Sequence, residues 1–392
     1  MVLDKPLDGN HGGKHPKGAD FITSGIPFIM ASDINNGKID TIGCSFITKE
    51  QADSLDKGFS ITGDVLLTHK ATLGRTAIVG SLQTPYIMLT PQVTYYRILK
   101  SDILYNKYLK YYFDTNFFQE TFANYGDSGS TRSYVGITAQ GGLPIMLPTF
   151  PEQKAIAAVL SSLDDKIDLL HRQNATLEAM AEALFRQWFV VEAKEEWEGK
   201  RLGEVFNIYI GRTPPRKEQW CFSDSPTKHI WVSIRDMGLP GVFISDSSEY
   251  LKKEAVYEYS VPIIPKDTVL LSFKMTVGRV KITTEPMYSN EAIACFAKKT
   301  NSLLSSEFLY IFLKRFNYDE LGSTSSIVTA VNSAIIKEIF VQIPPQNLKV
   351  QFDSIVHPVF EKIRSNQTQI CTLEKLRDTL LPKLMTGEIR VV

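Results

Sequence analysis

The stretch IDLLHRQNATLEAMAEALFRQWF (Ile167–Phe189) has no Gly or Pro and a regular apolar beat. A second stretch, IRSNQTQICTLEKLRDTLLPKLMTGEI from Ile363, repeats its Thr-Leu-Glu at the same distance from a Lys-Ile pair, 196 positions on. In the first, Ile156, Leu160, Leu163, Ile167, Leu170, Asn174, Leu177, Ala181, Leu184, Trp188 and Val191 fall on alternating steps of four and three. In the second, Phe352, Val356, Val359, Ile363, Asn366, Ile370, Leu373, Arg377, Leu380 and Leu384 do the same. A sustained four-three beat means a helix with a coiled-coil seam. Two such helices in matching register, in one chain, are expected to pair with each other.

The segments between them also repeat. GIPFIMASDI (Gly25–Ile34) resembles KHIWVSIRDM (Lys228–Met237), with Asp33 and Asp236 in corresponding places. DVLLTHKATLGR (Asp64–Arg75) resembles TVLLSFKMTVGR (Thr268–Arg279), sharing Lys-x-Thr-x-Gly-Arg. Each half leaves its globular part through a Pro-rich joint, at Leu147 and at Ile343, and enters its long helix. Short β-branched runs between Gly and Pro punctuation make each globular part mixed α and β. The expected order is a globular domain over residues 1–150, a long helix over 151–196, a second domain over 197–345 and a second long helix over 346–392. The segment WEGKRLGEVFNIYIGRTPPRK from Trp197 has no match at the start of the chain, so the first domain is expected to open short, without the strand this segment forms.

Composition excludes several classes. With 43% apolar and 22% charged residues the chain is an ordinary folded protein rather than a disordered one. No apolar run reaches the length of a membrane span, the start has no signal-peptide core, and four scattered cysteines suggest neither zinc site nor disulfide framework. A reduced, cytoplasmic location is expected. Charge is balanced overall but uneven: residues 151–198 hold 5 Lys+Arg against 10 Asp+Glu, and 199–342 hold 18 against 15. Any attraction to nucleic acid therefore comes from local patches.

Catalytic signatures are missing. There is no phosphate-binding Gly-x-x-x-x-Gly-Lys loop, no Gly-x-Gly-x-x-Gly turn and no Gly-x-Ser-x-Gly elbow. His11 and His15 have a helical metal-ligand spacing, but GNHGGKHPKG is too rich in Gly and Pro to be helical, so no metal is expected. Glu192-x-Lys194 is an ordinary charged helix end.

Binding groups are more visible. Lys70, Thr72 and Arg75 in one half, and Lys274, Thr276 and Arg279 in the other, follow a strand and surround a Gly. They offer cations, a hydroxyl and an open amide to phosphate or guanine edges, and equally suit a solvated turn. SGSTRS, with Ser130, Thr131 and Arg132, and GSTSS, with Ser323 and Thr324, are small polar loops able to follow a groove. GRTPPRK, with Arg212 and Thr213, adds cations on a Pro-stiffened loop. Two similar binding domains on a paired-helix spacer suit a ligand that repeats along a line, as DNA does.

The order of parts, the segment LPTFPEQKAIAAVLSSLDDKIDLLHRQNATLEAMAEALFRQWF and the ending LLPKLMTGEIRV resemble the specificity subunit of type I restriction–modification systems, along essentially the whole chain. That resemblance implies an α+β architecture of two mixed α/β target-recognition domains, related by a pseudo-two-fold and separated by an antiparallel coiled coil. It implies a non-catalytic reader of double-stranded DNA, each domain reading half of a split target. It also implies partners: two modification subunits that bring S-adenosylmethionine, and restriction subunits that bring ATP and Mg, with no cofactor in this chain. Two rival readings are a specificity subunit of a system with fused restriction and modification activities, and a scaffold binding proteins.

The antiparallel arrangement fixes a register in which partner residue numbers add to 540. It sets Asn174 against Asn366, Leu170 against Ile370, Leu177 against Ile363, Leu184 against Val356, Trp188 against Phe352, Leu160 against Leu380 and Arg377 against Leu163. From Ile156 to Trp188 the helix is ~50 Å long at about 1.5 Å per residue, or roughly 14 base pairs.

Overall fold

Proline at a helix entrance costs nothing, because the first amides have no partner inside the helix. Pro151 and the Pro344–Pro345 pair sit at such entrances. The computed structural model, which describes residues 1–126, 134–321 and 333–391, has one helix over Phe150–Arg186 and another over Gln346–Met385. Two compact units divide the chain: Met1–Lys166 with Leu373–Val392, and Ile167–Thr372.

In the first unit, an antiparallel four-stranded sheet runs in the order Leu7–Asp8, Val93–Tyr96, Val65–Lys70, Thr72–Ile78. A second sheet of four strands pairs Ile26–Ile29 in parallel with Ile87–Leu89. Helices Asn106–Phe113 and Asn116–Asn124 carry Tyr108, Tyr112, Phe113, Phe118 and Phe122 into a core shared with Ile156, Leu160, Leu384 and Met385.

In the second unit, a five-stranded sheet runs Phe206–Ile210, Ile293–Lys298, Val269–Ser272, Val280–Thr283, Phe243–Ile244. Trp231–Val232 pairs in parallel with Tyr288–Ser289, repeating the parallel pair of the first unit. Helix Ser306–Arg315 packs Phe308, Tyr310 and Ile311 into a core with Phe185, Phe189, Phe352 and Phe360.

The opening differs between the two units. Leu7–Asp8 pairs with Val93–Tyr96 as Phe206–Ile210 pairs with Ile293–Lys298, so the edge that sequence matching missed is present as two residues in place of five. Glu198–Arg201 pairs with Phe340–Ile343, and no such pair occurs among the described residues of the first unit.

The helices pair antiparallel in both units. In the first, Arg377 Nη1 donates to Asp164 Oδ1 at 2.9 Å beside buried Leu160. In the second, Asn366 Nδ2 donates to Asn174 Oδ1 at 2.8 Å, and the Trp188 and Phe352 rings lie 6.3 Å apart. The anticipated pairing of Asn174 with Asn366 and of Trp188 with Phe352 is the observed one. Ile167, Leu170, Val356, Ile363 and Ile370 are buried; Leu163, Leu177, Leu184, Leu373 and Leu380 are half-buried.

One seam assignment is corrected. Val191 is 61% exposed, because Gln187–Val191 forms a single π turn, with Glu192 N donating to Gln187 O. The wider turn rotates the face beyond it, and Phe189 within it enters the core, as does Phe185 in the regular helix before it, both off the four-three beat.

Candidate nucleic-acid interface

Each unit builds one hairpin from its Lys-x-Thr-x-Gly-Arg segment. Strands Val65–Lys70 and Thr72–Ile78 meet at Ala71, whose φ is +67°, and Gly74 follows at +84°. The left-handed φ favours glycine at position 74, and a Cβ there would also displace the end of the Gln119 side chain, whose Oε1 would lie 1.8 Å away. In the second unit Met275 and Gly278 take φ of +62° and +91°. The same frame thus places a non-glycine residue in the left-handed region at both tips, an uncommon and costly conformation.

Two matched contacts hold each hairpin. Arg75 N donates to Thr68 Oγ1 at 2.9 Å, and Arg279 N donates to Ser272 Oγ at 3.0 Å. Arg75 Nη1 donates to Ala31 O at 3.2 Å, Ile34 O at 3.1 Å and Asn35 Oδ1 at 2.8 Å; Arg279 Nη1 donates to Ile234 O at 2.8 Å. The segments receiving these arginines are themselves capped by the paired aspartates: Asp33 accepts from Met30 N, and Asp236 from Ser233 N, both at 2.8 Å.

These contacts sort the residues that the sequence nominated. Arg75 and Arg279 tie the hairpin to a neighbouring turn, so at least one guanidinium nitrogen of each serves the fold. Thr72, Lys274 and Thr276 are exposed around the tip, whereas Lys70 is half-buried, its ammonium 5.8 Å from the Tyr134 ring centre. Arg212 Nη1 donates to Tyr259 O at 2.7 Å, and the Thr213 hydroxyl donates to the Glu291 carboxylate. Both are bound within the protein, and Glu291 adds negative charge there. Ser130, Thr131, Arg132, Ser323 and Thr324 lie outside the described residues. Tyr134 returns to the hairpin as a bridge partner of Lys70.

In the second unit the ends of three strands bring these parts together. Ile210 pairs with Ala294 and Ser272 with Ile293, so the Arg212 loop, the Asn290–Ala292 turn and the Lys274–Arg279 hairpin leave the same end of the sheet. Exposed Arg235, on the helical turn tethered by Arg279, joins that end.

Sequence reading missed the first unit's equivalent. Asp8, 1% exposed, is bonded by the Lys57 ammonium and by His11 Nε2 at 2.7 Å, while the fully buried His69 brings its Nε2 within 3.9 Å. His69 Nδ1 faces Val135 O at 3.0 Å, and burial pushes its imidazole pKa below the ordinary value. The local sequence does not mark Asp8, because only His11 is near it in the chain while Lys57 and His69 come from two distant segments. Among the described residues no group of three or more His, Cys, Asp or Glu could hold a metal, and no helix is long and apolar enough to cross a membrane.

A profile of the type I restriction modification DNA specificity domain matches twice, over residues 10–179 and 194–375. The MjaIX type I restriction enzyme specificity subunit of Methanocaldococcus jannaschii is 28% identical, over 93% of this chain and 87% of its own length. The HindI type I specificity subunit of Haemophilus influenzae is 23% identical, over 93% of this chain and 94% of its own. The crystal structure of a type I restriction–modification S subunit from M. genitalium has the same fold, with a TM-score of 0.56 at 17% identity, covering 98% of this chain and 93% of that one.

Proposed function

The chain belongs to the type I restriction–modification DNA specificity family, and we propose that it reads a bipartite double-stranded DNA target, one half-site per globular domain, with the paired helices setting the gap. The observation that carries this reading is the hairpin frame built twice, with the same arginine strut and the same left-handed tip. A two-stranded ribbon fits the major groove, where base edges are distinguishable. Exposed Lys274 and Thr276 flank one tip and can engage the backbone beside it.

In this reading the chain is a reader and not a catalyst. It assembles in the cytoplasm with two modification subunits, which supply S-adenosylmethionine chemistry, and with restriction subunits, which supply ATP- and Mg-dependent work. Balanced charge leaves few phosphate contacts to one chain, so the lone subunit binds duplex weakly and gains affinity when the modification subunit joins. Mapping methylated adenines in DNA treated with the assembled modification complex tests the reading. A split motif with a fixed gap is the expected result; an uninterrupted motif, or no methylation, overturns it. A protein-binding scaffold would instead show no steep fall of DNA affinity with salt.

A further inference from the structure

The two hairpins share their frame and differ at the tip. Lysine, threonine, glycine and arginine recur at the same places, the arginine strut reaches the equivalent carbonyl, and the tip residue is left-handed in both. The side chain presented there differs, a methyl group at Ala71 and a thioether at Met275, and strand pairing runs to Lys70 and Thr72 in the first hairpin but stops at Leu271 and Val280 in the second. Met275 is 93% exposed, between exposed Lys274 and Thr276, with its backbone in a conformation that a glycine would adopt without cost. A turn that served only to reverse the chain gains nothing from methionine there. Strain that persists in a well-braced element points to function.

Resting on the reading above, we propose that Met275 is a specificity-determining residue that packs on the 5-methyl group of a thymine in the major groove. The thymine methyl is the apolar feature of the major-groove edges, and a flexible, polarisable thioether suits it. Lys274 and Thr276 sit beside it to engage the flanking backbone, and the Arg279 strut and the Ser272 hydroxyl fix the height of the tip. Ala71 is the short counterpart in the first domain, where the same frame brings its backbone closer to the bases.

The test uses the full chain assembled with its modification subunits on a duplex carrying the mapped target. Each thymine is replaced in turn by deoxyuridine, which removes the methyl group alone. One replacement is expected to weaken binding about four-fold, the worth of one buried methyl, with the others silent. For Met275→Ala, which keeps a side chain compatible with Ala71's own conformation, thymine and deoxyuridine should bind equally at that place, and Met275→Leu should restore the difference. Melting temperatures matching the wild type show that the frame survives both changes. A target in which no thymine responds, or a response undiminished in Met275→Ala, overturns the inference alone. A complex with no bipartite target overturns the reading of the whole chain and the inference with it.

Discussion

The two sheets are alike at their braces and unlike in their interiors. Where the first domain buries His69 in the strand leading to its hairpin, the second buries Phe273; where the first buries Ala77 on the return strand, the second buries Lys281. The two polar side chains are accommodated differently. His69 faces Val135 O, and the Lys281 ammonium donates to Leu239 O at 2.5 Å and to Gly241 O. What is held constant is the backbone conformation of the tip, while the core beneath it varies: the Lys281 ammonium is paired, whereas His69 is bonded through Nδ1 alone and its buried Nε2 has no hydrogen-bond partner.

Exchanging the interiors tests that contrast most sharply. Phe273→His puts an imidazole in place of a buried apolar ring, and should cost about 3 kcal/mol in lost packing and desolvation. His69→Phe should cost less, since Gln140 Nε2 still donates to Val135 O at 2.8 Å. Denaturant unfolding of the two variants gives the order, and equal losses would undo the argument.

The braces come next. Arg75→Ala and Arg279→Ala should each loosen one hairpin by about 2 kcal/mol, the worth of a hydrogen bond from a charged group, and impair methylation through one half-site only. Because the strut is a matter of geometry, Lys should rescue poorly in both. Loss through both half-sites from a single substitution would contradict the independence of the two readers.

Titration separates the interiors at smaller scale. Burial holds the Lys281 pKa down at about 8 against an ordinary 10.5. Between those values the unfolded chain keeps a proton that the folded domain has released, so stability rises with pH. Relative to Lys281→Met, the wild type should gain about 1 kcal/mol from pH 8 to 9. His69 works in the acid direction: its imidazole stays below the ordinary 6.5, so beneath that pH the unfolded chain takes up a proton the fold refuses. Stability of the first domain should fall there, by the least of these amounts, and His69→Phe should remove the fall. Hydrogen exchange at pH 7.5 and 5.5 reads it domain by domain.

The helices were legible because their signal is local and periodic, and their register because only two seam positions are Asn. The exception at Val191 follows from one π turn, which shifts the face without changing the residues that announce it. The hairpins were legible as a repeated motif, but the work of Arg75 and Arg279 was not: their acceptors lie 40 to 45 residues away. Thr213 is similar, since Glu291 is 78 positions on. Ala71 and Met275 left no trace in sequence, because a left-handed turn is announced by glycine and these are not glycine.

The asparagine pair has a consequence for how the chain chooses what to fold against. Asn366 donates to both Asn174 and Gln173, so the polar contact joins the two helices at one place. Along the internal repeat, however, the two asparagines are not equivalent: Asn174 corresponds to Ile370, and Asn366 to Leu170. Two copies of the central helix in this register would bury Asn174 against Leu170, and two copies of the last helix would bury Asn366 against Ile370. Either like-with-like pairing strands two amides in an apolar seam. A chain descended from a duplicated half thus carries, in two side chains, a preference for joining its unlike halves over assembling as a symmetric pair.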